Sequence, residues 1–476
     1  MNSKRSAHSH IIVGNTLAAL IAAYETARKD IDVTLIKHKG GWGGHFSGLT
    51  IDGEHFDAGM TIVELTSTNL ESKPALASYD SLIRNDVGRF FGIVERYISE
   101  HFPLRIIEQP QSYFRGDWYG DFLLCNSFDA FNAFNQAERD IIAGQLDGQS
   151  NTDWRHAANK IRLQQQHTAA SYQQTSLFNH GEHLHNHLID PFVRKLTGHG
   201  SENIASIFHR RLWAPLYYPE TLVLAARGEI DHFGDTVTHY PSQSSFYGFA
   251  HGFVERLKAL DTVTVIEADV EQLDIDAQTL SVSGVDQPIA YHSLAWGGAL
   301  AECQRLLGLQ SIADTQTNRA NLSFEFLEVD SARINRAFSI AFVFDQNIPF
   351  YRVTNQSACA AMQTDKSKLI VEYNTDFIKA RGIQNAADIS KATVSGLMQM
   401  GIIDSSDAVL GSNVKMIPRL LPMPALQYYE CALRNIEMVQ SHCPDIRLMG
   451  DSTSIASRSF ADHIVQGLQY ADAQQA

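Results

Sequence analysis

No two cysteines in this sequence form a C-x-x-C pair. The five, Cys125, Cys303, Cys359, Cys431 and Cys443, are widely spaced and odd in number. That pattern excludes a disulfide framework and points to reduced thiols in a cytoplasmic protein. Long apolar runs are missing too: nothing approaches the roughly 18 residues that a membrane span needs. The basic start, "MNSKRSAHSH", is not followed by the apolar centre of a signal peptide. Positive charge is scarce: 38 Lys and Arg against 53 Asp and Glu leave a formal charge of −15. This excludes an extended nucleic-acid surface, but not a local basic pocket for an anion. There is no P-loop, G-x-S-x-G elbow or H-E-x-x-H helix, and no internal repeat or low-complexity tract.

The chain is 476 residues long, 44% hydrophobic and 19% charged, the balance of a globular protein. Its length exceeds the roughly 250–300 residues at which one core stops growing. Two domains, or one with large insertions, are expected. The opening "HIIVGNTLAALIAA" (10–23) reads as strand, glycine turn and small-residue helix. "IDVTLIK" (31–37) reads as a second strand, and "TIDGEHFD" as a hairpin. A β-α-β start predicts a parallel sheet with its ligand at the carboxyl ends of the strands. From about 80 to 235 the spacing becomes helical. A helix and strands follow over 247–275, a β-rich region over about 318–375, and a closing strand–turn–helix over 445–473. The expected architecture is α/β: a discontinuous Rossmann-like domain (1–75, 240–300 and 435–476) and a mixed α/β domain with a helical insertion (76–239 and 301–434).

The turn after the first strand should leave backbone N–H groups of Thr16, Leu17 and Ala18 at a helix N-terminus, where the dipole favours a phosphate. The dinucleotide fingerprint G-x-G-x-x-G reads here as Gly14, Thr16, Ala19. Thr16 puts a branched side chain where a bare backbone is expected, and its hydroxyl either meets a phosphate or displaces it. Strand two ends at Lys37, which has three donors and no acceptor. Gly43-Gly44, His45, Asp57 and Gly59 follow, and near the end come Gly450-Asp451 after a strand.

This ordered set resembles the flavoprotein family that includes amine oxidases, protoporphyrinogen oxidases, carotenoid desaturases and UDP-galactopyranose mutases. The resemblance implies an FAD site. The Gly43-Gly44 backbone would lie against the cofactor, backbone near Val270 would meet the adenine, and Asp451 would hold the ribityl–phosphate portion. The helix from about Phe460 to Ala471 would face the flavin ring. The family has an acidic residue where this chain has Lys37, and often Arg where it has His45.

"HRRLWAPLYYPETL" (209–222) gathers Arg210, Arg211, Trp213, Tyr217 and Tyr218. "IPFYRVTNQ" places Tyr351-Arg352 ahead of a strand carrying Glu372. Both resemble segments of the mutase-like and protoporphyrinogen-oxidase-like members. Arg211, Tyr217, Tyr351 and above all Arg352 are the implied substrate contacts, although arginines and tyrosines on strands mostly make packing or surface contacts. "NHGEHLHNH" supplies His180, His183, His185 and His187, but without a metal-ligand pattern, and no metal is expected.

The resemblance implies an FAD-dependent oxidoreductase that moves hydride from a small polar substrate to flavin N5. The attachment would be non-covalent. Two alternatives stay open: a reduced-flavin mutase acting on a nucleotide-sugar, and a chain that kept the fold without the cofactor.

Overall fold

The opening strand, β1 (His10–Val13), is apolar, and its last three residues are buried. Such a run, covered on both faces, suits the middle of a parallel sheet. The computed structural model places it there. It describes residues 10–59, 61–66, 87–122, 127–148, 170–212, 214, 217, 219–232, 236–242, 245–312, 319–423, 425–453 and 460–474. Cys125, Trp213, Tyr218 and the side chains of Arg210 and Arg211 lie outside the described residues.

The parallel sheet has five strands in the order Val263–Glu267, β2 (Val33–Lys37), β1, Ser293–Trp296 and Ile446–Leu448. Every pairing is parallel. The sheet thus draws on the beginning, the middle and the end of the chain. The chain leaves β1 for β2 on one side, and the strand on β1's other side comes some 280 residues later. That reversal puts the switch point of the sheet at the carboxyl end of β1.

The helix α1 (Leu17–Ala27) follows, capped by Thr16, whose side chain accepts from the Ala19 N–H. Alanine and leucine favour the helix, and almost all of its positions are buried. It packs against the closing helix Phe460–Ala473. Gly467 makes that approach possible, since a Cβ there would stand 2.7 Å from the Ile21 Cβ and 3.0 Å from the Ala18 carbonyl oxygen.

A second, seven-stranded sheet has the order Val409–Pro422, Arg319–Asp330, Lys366–Asn374, Arg352–Asn355, Ile340–Val343, Gln111–Phe114 and Asp117–Gly120. Its last two strands come from the region read as helical. Leu104–Ile106, in the same region, pairs with Thr236–Pro241. The mostly helical region 80–235 thus also holds short strands beside helices such as Gln136–Leu146 and Tyr172–Leu184. The predicted hairpin is present as Leu49–Ile51 and Glu54–Phe56. It joins the two sheets: Phe56 packs on Phe326 at 5.1 Å, and the Asp57 N–H donates to Gln356 Oε1 at 2.9 Å.

No helix among the described residues is long and apolar enough to cross a membrane. Cys303, Cys359 and Cys443 are buried and, like Cys431, unbridged. Burial pushes the Cys303 and Cys359 thiols up to about 12, which leaves both unreactive at neutral pH.

The candidate dinucleotide site

Gly14 has φ +145°, and a Cβ there would lie 2.8 Å from the Gly297 carbonyl carbon. Only glycine lets β1 turn so close to the end of its neighbour. The Gly43 N–H donates to the Asn15 carbonyl at 2.7 Å and ties the second glycine loop to the first. Gly43, Gly44 and Gly450 all have positive φ. These loops converge on Thr16. A Cβ on Gly44 would come within 3.1 Å of Thr16 Cγ2, and one on Gly450 within 2.6 Å of Thr16 Oγ1. The Thr16 side chain, 2% exposed, therefore occupies the hollow that the glycine backbones enclose.

The donors at the helix start have partners. The Ala19 N–H meets Thr16 Oγ1 at 3.4 Å, and the Ala18 N–H meets Nδ1 of the fully buried His463 at 3.3 Å. The Gly450 N–H donates to Gln466 Oε1 at 2.5 Å. His45 Nδ1 and His463 Nε2 face Asp451 Oδ1 at 3.5 and 3.9 Å. Ligand atoms of these three residues lie within 4.8 Å of one another, a spacing a cation could bridge. The hydrogen bonding argues otherwise. His463 accepts through Nδ1, so the neutral ring carries its proton on Nε2, the atom a metal would need.

At the carboxyl end of β2, Lys37 pairs with Glu267 at 3.1 Å. The two are register partners on adjacent strands. The lysine's hydrogen bond holds the Glu267 carboxyl below the usual carboxylate range. An acidic group thus stands beside the end of β2, on the next strand. Sequence reasoning missed Glu267 because strand pairing across 230 residues leaves no local signal. The Val270 N–H donates to Nδ1 of the buried His38 at 2.9 Å.

Asp57 is 1% exposed and accepts from the Tyr240 hydroxyl and, at 3.0 Å, from the Phe246 N–H. It anchors the hairpin from inside. Gly59, at φ +88°, would carry a Cβ into open space. Phe46, Phe246 and Phe460 form an apolar wall beside the loops, their rings 5.5–5.7 Å apart.

The structure thus brings Gly14, Thr16, Leu17, Ala18, Gly43, Gly44, His45, Gly450 and Asp451 to one place, with Lys37 and Val270 toward the far strands. The three candidate substrate contacts whose side chains are described, Tyr217, Tyr351 and Arg352, are engaged within the protein. Arg352 gives Nε and Nη2 to the Glu372 carboxylate at 2.9 and 2.7 Å, and the Tyr351 hydroxyl donates to the same carboxylate at 2.9 Å. Tyr217 is buried beside Phe122 and Phe128, and its N–H donates to His180 Nε2 at 3.0 Å. The four histidines divide. His180 and His185 both meet the buried Ser176 hydroxyl, at 2.7 and 2.8 Å, and burial drops His180 to about 3. His183 and His187 stack at 4.2 Å beside Glu138, with His187 Nδ1 donating to the His183 carbonyl.

Comparison with known proteins places this geometry. A family model of the NAD(P)-binding Rossmann-like domain matches residues 12–78. No curated protein sequence matches the chain. Solved structures do match over nearly its whole length. Reduced UDP-galactopyranose mutase has a TM-score of 0.70 at 13% identity, over 98% of this chain and 95% of that one. A proposed protoporphyrinogen oxidase from Exiguobacterium sp. 255-15 has 0.64 at 13% identity, over 99% of each. Cyclohexylamine oxidase from Brevibacterium oxydans IH-35A has 0.57 at 9% identity, over 98% of each. The fold is that of the FAD-dependent amine oxidase-like flavoproteins.

Proposed function

We propose, from that fold, that the chain binds FAD and acts as an oxidoreductase on a small polar substrate. One observation carries the reading: Gly14, Gly43-Gly44 and Gly450 converge at the carboxyl end of β1, the switch point where an open α/β sheet takes its ligand. The residues fit an extended dinucleotide in outline. The α1 N-terminus, with the Leu17 and Ala18 N–H groups, would take the pyrophosphate. The Gly43-Gly44 and Gly450-Asp451 backbones would flank it. Val270 would lie by the adenine, and Glu267, beside Lys37, would offer the ribose its acceptor. Asp57 would fix the hairpin and the open Gly59 backbone next to the ring, against the wall of Phe46, Phe246 and Phe460. When bound, the flavin supplies the hydride-accepting chemistry. The protein orients the substrate and keeps water out.

A second reading is reduced-flavin mutase chemistry. The similarity to reduced UDP-galactopyranose mutase favours it. The commitment of Arg352 to Glu372 counts against it, because a nucleotide-sugar diphosphate needs a free cationic fork.

The purified chain is expected to be yellow, or to become so with added FAD, and to release FAD rather than FMN on heating. A colourless chain that takes up no FAD would overturn the reading.

A further inference from the structure

Three backbone donors on the proposed FAD path are already bonded, each to a side chain of the protein itself. Two of these side chains, His463 and Gln466, are three residues apart and so share one face of the closing helix. His463 takes the Ala18 N–H in the first turn of α1, and Gln466 takes the Gly450 N–H. His463 reaches across 445 residues to make its bond and is 0% exposed. A helix start has a use for one phosphate oxygen at that N–H, and here an imidazole nitrogen stands in its place.

We infer that His463 is a displaceable lock on the phosphate end of the cofactor groove, with Gln466 beside it. The inference rests on the FAD reading above. The ring satisfies a donor that would otherwise be buried and unpaired. An incoming pyrophosphate makes a better partner. Its oxygens are charged and the helix dipole favours them, whereas the N–H···N bond at 3.3 Å is long and neutral. Asp451 Oδ1 lies 3.9 Å from Nε2 of the same ring. The closed lock lowers the apparent affinity by the fraction of chains that are open.

The test is binding, measured by titration calorimetry at fixed salt, with three probes: FAD, ADP and riboflavin. His463→Ala should bind FAD and ADP at least tenfold more tightly than the wild type, with riboflavin, which lacks phosphate, unchanged. Equal or weaker FAD binding in the variant, with the wild type still binding FAD, would overturn the lock and leave the FAD reading standing. Failure of both chains to bind FAD would overturn both. The wild type gives a second measurement if the variant does not fold. With histidines labelled in 15N, the His463 ring signals, assigned by their loss in His463→Gln, should report an Nε2–H ring in the free chain and shift on saturation with ADP. Bound ADP with unshifted ring signals would overturn the proposal.

Discussion

Glu372 receives both Arg352 nitrogens and the Tyr351 hydroxyl, and the two charged side chains are at most 6% exposed. A buried pair of this kind adds little net stability relative to apolar residues, but removing one partner strands the other charge. Glu372→Gln should therefore destabilise the chain by about 3–5 kcal/mol, read as a lower urea midpoint. Arg352→Met with Glu372→Leu should recover most of that loss. A stable Glu372→Gln chain would mean that Arg352 has another anion to hold, and would return it to the list of substrate contacts. Residue type and spacing made Arg352 conspicuous in the sequence. Its partner, 20 residues on and one strand over, decides what it does. Lys37 is similar: its partner, Glu267, stands on a neighbouring strand 230 residues away.

Among the elements, β1, α1, β2 and the closing helix were legible because each carries its own period and its own glycine punctuation. The strands Gln111–Phe114 and Asp117–Gly120 were not. They are four residues long and complete a sheet whose next strand, Ile340–Val343, lies more than 220 residues away. Local spacing cannot report such a partner. The glycines of the candidate site were legible for the same local reason, while the caps His38, His463 and Gln466 depend on how distant elements pack. Gly467 controls that packing. Gly467→Val would push a branched side chain into Ile21 and the Ala18 carbonyl, which neither helix can yield without moving. Overpacking of this kind costs about 1–3 kcal/mol. Calorimetry should show a lower unfolding temperature, and because His463 lies one turn earlier on the same face, ADP affinity should change as well. An unaltered unfolding temperature would mean that the two helices are not held in close contact.

Over the whole molecule, the hairpin of residues 49–56 links the glycine loops to the seven-stranded sheet, by the Phe56–Phe326 contact and the Asp57–Gln356 hydrogen bond. At that sheet, Arg352 and Tyr351 are both turned onto Glu372. The chain as a whole carries −15. A doubly charged nucleotide-sugar would therefore find no free fork at Arg352 and an unfavourable net charge. The two chemistries differ in electron balance. Oxidation passes two electrons to the flavin for each substrate consumed, and turnover stops without an acceptor. A mutase needs the flavin reduced beforehand and transfers no net electrons. The FAD-loaded chain, held without oxygen and offered a panel of small primary amines, should lose its flavin absorbance in proportion to the amine consumed and regain it when oxygen is admitted. If no amine bleaches the flavin, and the dithionite-reduced chain instead turns over UDP-galactopyranose repeatedly with no acceptor present, the oxidoreductase reading gives way to the mutase.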